Sequence, residues 1–394
     1  MPNYPTYKLG EICKTTSGGT PDRKNSSYYN GSIPWVKSGE LDKGIIYDTE
    51  ERITEEAVKN SSAKIFPKGT LLIALYGATI GKLGFLGISA ATNQAVCGIF
   101  PSEKVNLDFL SYFLFHKRKD LIAQGTGGAQ PNISQTILKN LSIPLPPLAI
   151  QRLIVTRIET LFAELDKGVE KLKTAQQQLK TYRQAVLNDL LNNGNDEWKI
   201  VKLADICITV SDGDHLPPKR TTCGVPFITI SDIKNNAIDF SNVSYMTEEY
   251  YNSLSDSRKA QKGDLLYTVT GSFGIPVLID SDTKFCFQRH IGLIRPNPNC
   301  VSQKWLYYMM QSPIIYSQAT EKATGTAQKT VTLTVLRNFN FPLPPLPTQQ
   351  RIVKEIETRL EAAEAVEKNI AEALQQAEAL RQSILKKAFD GELV

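Results

Sequence analysis

PLPPL at residues 144–148, followed by PLPPL again at 342–346, is the stretch on which the architecture turns. The copies lie 198 positions apart, half of the 394-residue chain, and the match runs on without a gap. IVTRIET (154–160) aligns with IVKEIET (352–358), and TYRQAVL (181–187) with ALRQSIL (379–385), at the same offset. Self-similarity at a fixed period marks a duplicated structural unit. Upstream the likeness loosens but keeps its order. KLGEICKT (8–15) pairs with KLADICIT (202–209), IPWV (33–36) with VPFI (225–228), KGTLL (68–72) with KGDLL (262–266), and TGGAQ (126–130) with TGTAQ (324–328). The offset drifts between 192 and 198, as small loop insertions require.

Each unit therefore has a globular part followed by a helix. Short β-rich runs at 70–76, 95–100, 265–269 and 291–295, punctuated by Gly, Pro, Asn and Ser, predict mixed α/β domains. Short amphipathic helices fit 107–115 and 303–310, while strand order does not follow from these patterns. The prolines of each PLPPL predict a stop before the long helix, because proline lacks an N–H and restricts the residue before it. From Gln151 onward Ile154, Ile158, Leu161, Leu165, Leu172, Ala175, Leu179, Tyr182 and Val186 recur in steps of three and four, broken once at Gly168. Ile352, Ile356, Ala363, Val366, Ile370, Ala373, Ala377, Leu380 and Ile384 repeat the seam at the same 198-residue offset. Such seams predict a coiled coil, and an antiparallel pairing is expected to allow close backbone approach near Gly168 and the alanines. The expected division is a domain at 1–148, a helix at 149–193, a second domain at 194–346 and a second helix at 347–394.

Composition narrows the class. With 41% apolar and 22% charged residues, no apolar run near the length of a membrane span and no basic-then-apolar start, the chain reads as a cytoplasmic globular protein. The six cysteines (Cys13, Cys97, Cys207, Cys223, Cys286, Cys300) lack metal-ligand spacing, so reduced and mostly buried thiols are expected. The net charge of +5 is mild for a protein holding nucleic acid alone, so any such affinity must be local or shared with a partner.

PPLAIQRLIV (146–155), PPLPTQQRIV (344–353) and the ending LRQSILKKAFDGELV (380–394) resemble the conserved regions of type I restriction-modification specificity subunits, across the whole chain. The sequence departs from that pattern at Ala149-Ile150, where an acidic residue often precedes Gln, and at 188–193, which lacks an AFDGEL-like ending. The resemblance implies two target-recognition domains on double-stranded DNA, joined by two conserved helices on which two modification (methyltransferase) subunits dock. It also implies ATP-dependent restriction subunits in the larger complex. The partners would hold S-adenosylmethionine, ATP and the nuclease chemistry, so no cofactor and no catalytic role are expected of this chain. A helix of ~40 residues is ~60 Å long, against about 34 Å per turn of DNA, so paired helices are expected to hold two readers a turn or more apart. A bipartite target with an unread gap follows, and the diverged repeats predict unlike half-sites.

Reading bases takes paired donors and acceptors, such as Arg on guanine or Asn and Gln on adenine. In the first domain four polar loops offer them: 18–29 with Arg23 and Lys24, 76–82 with Tyr76, Thr79 and Lys82, 92–94 with Asn93 and Gln94, and 127–132 with Gln130 and Asn132. The second domain offers His215, Lys219 and Arg220, then Thr270, Ser272 and Phe273, then Gln288, Arg289 and His290, and finally Gln328 and Lys329. Gln288-Arg289-His290 stands where the first copy has Asn93-Gln94-Ala95, and makes the strongest single case. Lys24, Lys82, Lys219 and Lys329 are expected on phosphates, which position a duplex without reading it.

Other chemistries fit poorly. GATIGKL (77–83) is one residue short of a P-loop and ends in Leu, and no GxSxG, HExxH or Asn/Asp-Pro-Pro-aromatic motif occurs. Pro21-Asp22-Arg23-Lys24 has the acid–lysine look of a nuclease but no second acidic strand, and His116, His215 and His290 fall on a helix end and two loops. The competing readings are a coiled-coil adaptor that binds only protein and a self-sufficient restriction-modification enzyme. A footprint on DNA and a cofactor titration discriminate them.

Overall fold

The computed structural model describes residues 4–125, 132–192, 198–215, 219–325 and 328–393, without the side chains of 42, 43 and 192. The chain divides into two compact units, Met1–Leu172 with Glu372–Val394, and Lys173–Ala371.

In the first unit a five-stranded sheet runs in the order Thr15–Ser17, Val96–Ile99, Leu71–Ala74, Leu83–Leu86, Ile45–Ile46. A four-stranded sheet runs Glu51–Ile53, Tyr29–Val36, Ala90–Thr92, Ile65–Phe66, and Thr6–Lys8 pairs with Ser142–Pro144. The second unit repeats the plan. Its four-stranded sheet runs Cys207–Asp212, Ile291–Pro296, Leu265–Thr268, Pro276–Leu278, its three-stranded sheet Ser244–Met246, Val225–Ile228, Cys286–Phe287, and Lys199–Lys202 pairs with Asn340–Leu343. The one parallel pairing of the smaller sheet recurs too, Trp35 beside Ala91 in the first unit and Phe227 beside Cys286 in the second. IPWV and VPFI, matched in sequence, are thus the same strand. The central strands Leu71–Ala74 and Leu265–Thr268 are buried at every position because both faces of their sheets are covered, which is why they read as unbroken apolar runs. The short helices form at Leu107–His116 and Gln303–Met310.

The long helices span Leu148–Asn192 and Leu346–Phe389, 45 and 44 residues, so each contributes to both units. Within the second unit Arg183 pairs with Glu367 at 2.8 Å and Asp189 with Arg359 at 3.8 Å, an antiparallel order. Within the first unit Arg381 reaches Asp166 and lies 4.5 Å over the Phe162 ring, and Ile154, Ile158 and Phe162 share a core with Ile384, Leu385 and Ala388. Three expected seam residues depart from it: Tyr182, Val366 and Leu380 remain 43%, 47% and 50% exposed. A straight helix drifts ~20° per heptad against a 3.5-residue repeat, which carries such positions off the contact line. Close approach at Gly168 is also corrected, since a side chain built there would meet nothing within 4 Å. The helix runs unbroken through it.

The prolines do more than stop the chain. Pro144 ends one two-stranded ladder, Pro342 stands one residue before the end of the other, and the helices start at Leu148 and Leu346. The glutamine of each PPL motif then ties helix to domain. Gln151, 0% exposed, accepts from the Asn106 N–H at 2.8 Å and donates to the Pro146 and Lys104 carbonyls at 2.8 and 3.3 Å. Gln349, also 0% exposed, accepts from Ser302 N–H at 2.7 Å and donates to Pro344 and Cys300 at 2.8 and 3.2 Å.

The AFDGEL ending is anchored by Phe389, whose ring meets Phe109 and Phe113 edge-on at 5.3 and 5.1 Å and stacks on His116 at 5.6 Å. Phe389→Ala is expected to lower the stability of the first unit by about 2 kcal/mol, less than a fully buried Phe because the ring is half-buried. Urea unfolding followed by a probe in that unit measures it. All six cysteines are free thiols; Cys13, Cys97 and Cys286 are buried, Cys207 and Cys300 half-buried and Cys223 exposed. Among the described residues no helix is long and apolar enough to cross a membrane.

Candidate nucleic-acid interface

Each unit gathers loops from the ends of equivalent strands. In the first, the loop after Ala90–Thr92 is set by Asn93 N–H on Val36 O (3.0 Å), Val96 N–H on Asn93 O (3.2 Å) and Leu75 N–H on Ala95 O (2.8 Å). In the second, Gln288 N–H meets Ile228 O (3.1 Å), Ile291 N–H meets Gln288 O (3.1 Å) and Val269 N–H meets His290 O (2.9 Å). A fourth pair closes both sites: Ile133 N–H on Leu75 O at 2.7 Å, and Val331 N–H on Val269 O at 2.8 Å. Gln288, Arg289 and His290 therefore occupy the backbone frame of Asn93, Gln94 and Ala95. Tyr76 bridges to Asn132 as Thr270 bridges to Thr330.

A glycine wedges each frame. A Cβ at Gly18 would sit 2.1 Å from the Thr92 carbonyl oxygen, and one at Gly213 would sit 2.1 Å from that of Phe287. The strand leading into each frame thus passes closer to its loop than any side chain permits. The sequence reading did not single out Gly18 or Gly213 for this role.

The side chains on the shared frame differ. In the first unit Gln94 accepts from the Thr20 hydroxyl at its amide oxygen, and burial raises the Tyr76 phenol, an effect that Gln94 partly offsets. Asn93 Oδ1 is buried and has no protein partner among the described residues. Thr79 caps the Tyr76 carbonyl at 3.5 Å. Arg23 stands apart from the expected reader: it is paired with Glu51 at 2.5 Å and lies 4.7 and 4.9 Å over the Tyr29 and Trp35 rings, and the Glu51 bond holds its pKa up. Lys24 is exposed beside it, Lys82 is half-buried, and Gln130 lies outside the described residues.

In the second unit His215, Thr270, Arg289 and His290 line one cleft of ≈ 360 Å³ with Asp212 and Thr330. Sequence reasoning missed the network beneath it. His215 Nε2 meets Asp212 at 2.9 Å, Arg258 approaches Asp212 and Asp214 at 3.7 and 3.8 Å, and the Tyr250 hydroxyl donates to Asp214. The acids flanking His215 in Ser-Asp-Gly-Asp-His were the available signal. Burial, with Arg289 and His215 adding positive charge, holds His290 below the ordinary imidazole value. Lys329 and Gln328 are exposed, and the Lys329 carbonyl accepts from Gly271 N–H at 3.0 Å, which places them beside Thr270. Ser272 accepts the Thr268 hydroxyl at its carbonyl, Phe273 stacks on Tyr316 at 6.1 Å, and Arg220 lies 5.2 Å over Phe227, with exposed Lys219 before it. Among the described residues no cluster of three or more His, Cys, Asp or Glu could hold a metal ion.

Two copies of one polar loop frame, one dressed with neutral amides and the other with Arg and His, define a protein of duplicated recognition domains. Residues 1–174 and 195–376 match the type I restriction modification DNA specificity domain, and the chain belongs to that family. It is 28% identical to the EcoBI specificity subunit of Escherichia coli, over 93% of this chain and 77% of that protein. It is 21% identical to the MjaVIII specificity subunit of Methanocaldococcus jannaschii, over 90% of this chain and 86% of the relative. The fold is similar to that of a chain solved in work on the assembly and conformational transition of the type I R-M system (TM-score 0.77, 22% identity, 100% of this chain and 99% of that one). It is also similar to the HsdS subunit from Thermoanaerobacter tengcongensis (TM-score 0.59, 21% identity, 99% and 97%).

Proposed function

We propose that the chain is the non-catalytic specificity subunit of a type I restriction-modification complex and reads a bipartite, asymmetric target in double-stranded DNA. The observation that carries this is the duplicated loop frame with unlike side chains, Asn93-Gln94-Ala95 in one unit and Gln288-Arg289-His290 in the other. The reading domains are 1–148 and 194–346, and the helices 149–193 and 347–394 join them. Bases are read by Tyr76, Asn93, Gln94 and Asn132 in one half-site and by His215, Thr270, Gln288, Arg289 and His290 in the other. Lys24, Lys82, Lys219 and Lys329 hold phosphates. The helices are the docking surface for two modification subunits, which supply methyl transfer, and restriction subunits join the larger complex for ATP-dependent cleavage. The assembly works in the cytoplasm.

A hydroxyl-radical footprint of the chain with its modification partner tests the reading. Two protected patches separated by an unprotected stretch are expected, with affinity falling steeply as salt rises. One continuous patch, or none, overturns it in favour of a protein-only adaptor. Methylation by the chain alone with S-adenosylmethionine would restore the self-sufficient enzyme.

The two long helices, ~67 Å each at 1.5 Å per residue, also act as a ruler. Deleting one heptad from each at matching positions is expected to change the gap while leaving both half-sites intact, read by methylation mapping. An unchanged gap removes the ruler.

A further inference from the structure

We infer that Gln94 and Arg289 are matched base readers, Gln94 taking an adenine and Arg289 a guanine at the corresponding place of their two half-sites. The inference rests on the DNA-reading function proposed above.

The backbone places them alike, by four hydrogen bonds that differ by 0.1 Å from one unit to the other. What differs is how each side chain is prepared. The Gln94 amide oxygen accepts from the Thr20 hydroxyl, which tethers the side chain in place. A preoriented, exposed amide presents one donor and one acceptor side by side, the pattern complementary to adenine N7 and its N6 amino group.

Arg289 is prepared in the opposite way, by being left uncommitted. Its backbone N–H is fixed to Asp214 O at 3.2 Å, yet its exposed guanidinium makes no hydrogen bond or ion pair among the described residues. Arg118, Arg295 and Arg337 are each bound to carbonyls or a carboxylate. Asp212 in the same cleft is already occupied by His215 and Arg258, and Asp214, whose carbonyl takes the Arg289 N–H, by Tyr250 and Arg258. That network keeps them from capturing Arg289, whose planar fork matches guanine O6 and N7. Arg258 is thereby a positioning residue.

The test uses the full chain in complex with its modification partner and a pool of duplexes randomised across the target. R289Q is expected to move one position of one half-site from G to A, and Q94R one position of the other from A to G, the remaining motif unchanged. R289A and Q94A, both at exposed positions, lose discrimination at the same single positions by roughly 5- to 150-fold. A motif unchanged in all four variants, or equal weakening on every sequence as a phosphate contact gives, overturns the inference while the DNA reading stands. A wild-type complex that selects no motif overturns both.

Discussion

Gln349→Ala should lower the stability of the second unit by about 3 kcal/mol, because it strands three backbone groups at once. The side chain is wholly buried and serves the Ser302 N–H and the Cys300 and Pro344 carbonyls. Alanine satisfies none of them and leaves a space too enclosed for easy relaxation. Gln151→Ala should cost a similar amount, but in the first unit, where Asn106, Lys104 and Pro146 lose the same partners. Urea unfolding monitored by amide exchange at 106–110 and at 302–306 separates the two, each variant lowering protection in its own unit. A loss below about 1 kcal/mol would show that the glutamines are replaceable spacers.

Gly213→Ala should abolish recognition of one half-site and spare the other. The new methyl carbon would meet the Phe287 carbonyl at 2.1 Å and Gln288 at 2.6 Å, both backbone atoms that cannot rotate away. The reading loop itself must move, at a cost of about 3 kcal/mol, and Gln288, Arg289 and His290 move with it. Gly18→Ala should do the same to the other half-site through Thr92. Binding to duplexes carrying one intact and one scrambled half-site measures each effect. Variants that weaken both half-sites equally would mean that the glycines support the fold and not the reading loops.

The duplication was legible because its clearest match, PLPPL and the helix after it, serves backbone needs that both copies share. Proline's missing donor and the buried glutamine leave little room for drift. The alignment of Gln288-Arg289-His290 with Asn93-Gln94-Ala95 was legible from the apolar strands on either side, and the hydrogen bonds match it residue for residue. Strand order was not, because the sheets are built from contacts far apart in sequence, such as Trp35 beside Ala91. The commitments of individual side chains were hidden for the same reason. Arg23 looks like a base reader in its loop, but Glu51 and Trp35, distant in sequence, hold it. The Asp212–His215–Arg258 cluster depends equally on a residue over 40 positions away. The heptad count overreached at Tyr182, Val366 and Leu380, where 3.6 residues per turn prevail over a 3.5-residue pattern.

The most direct measurement is methylome sequencing of cells that carry this chain with the modification subunits proposed above. Two short, unlike, specified blocks at a constant spacing, one protein frame for each, are the expected result. A single uninterrupted motif, or blocks whose spacing varies from site to site, would contradict the account.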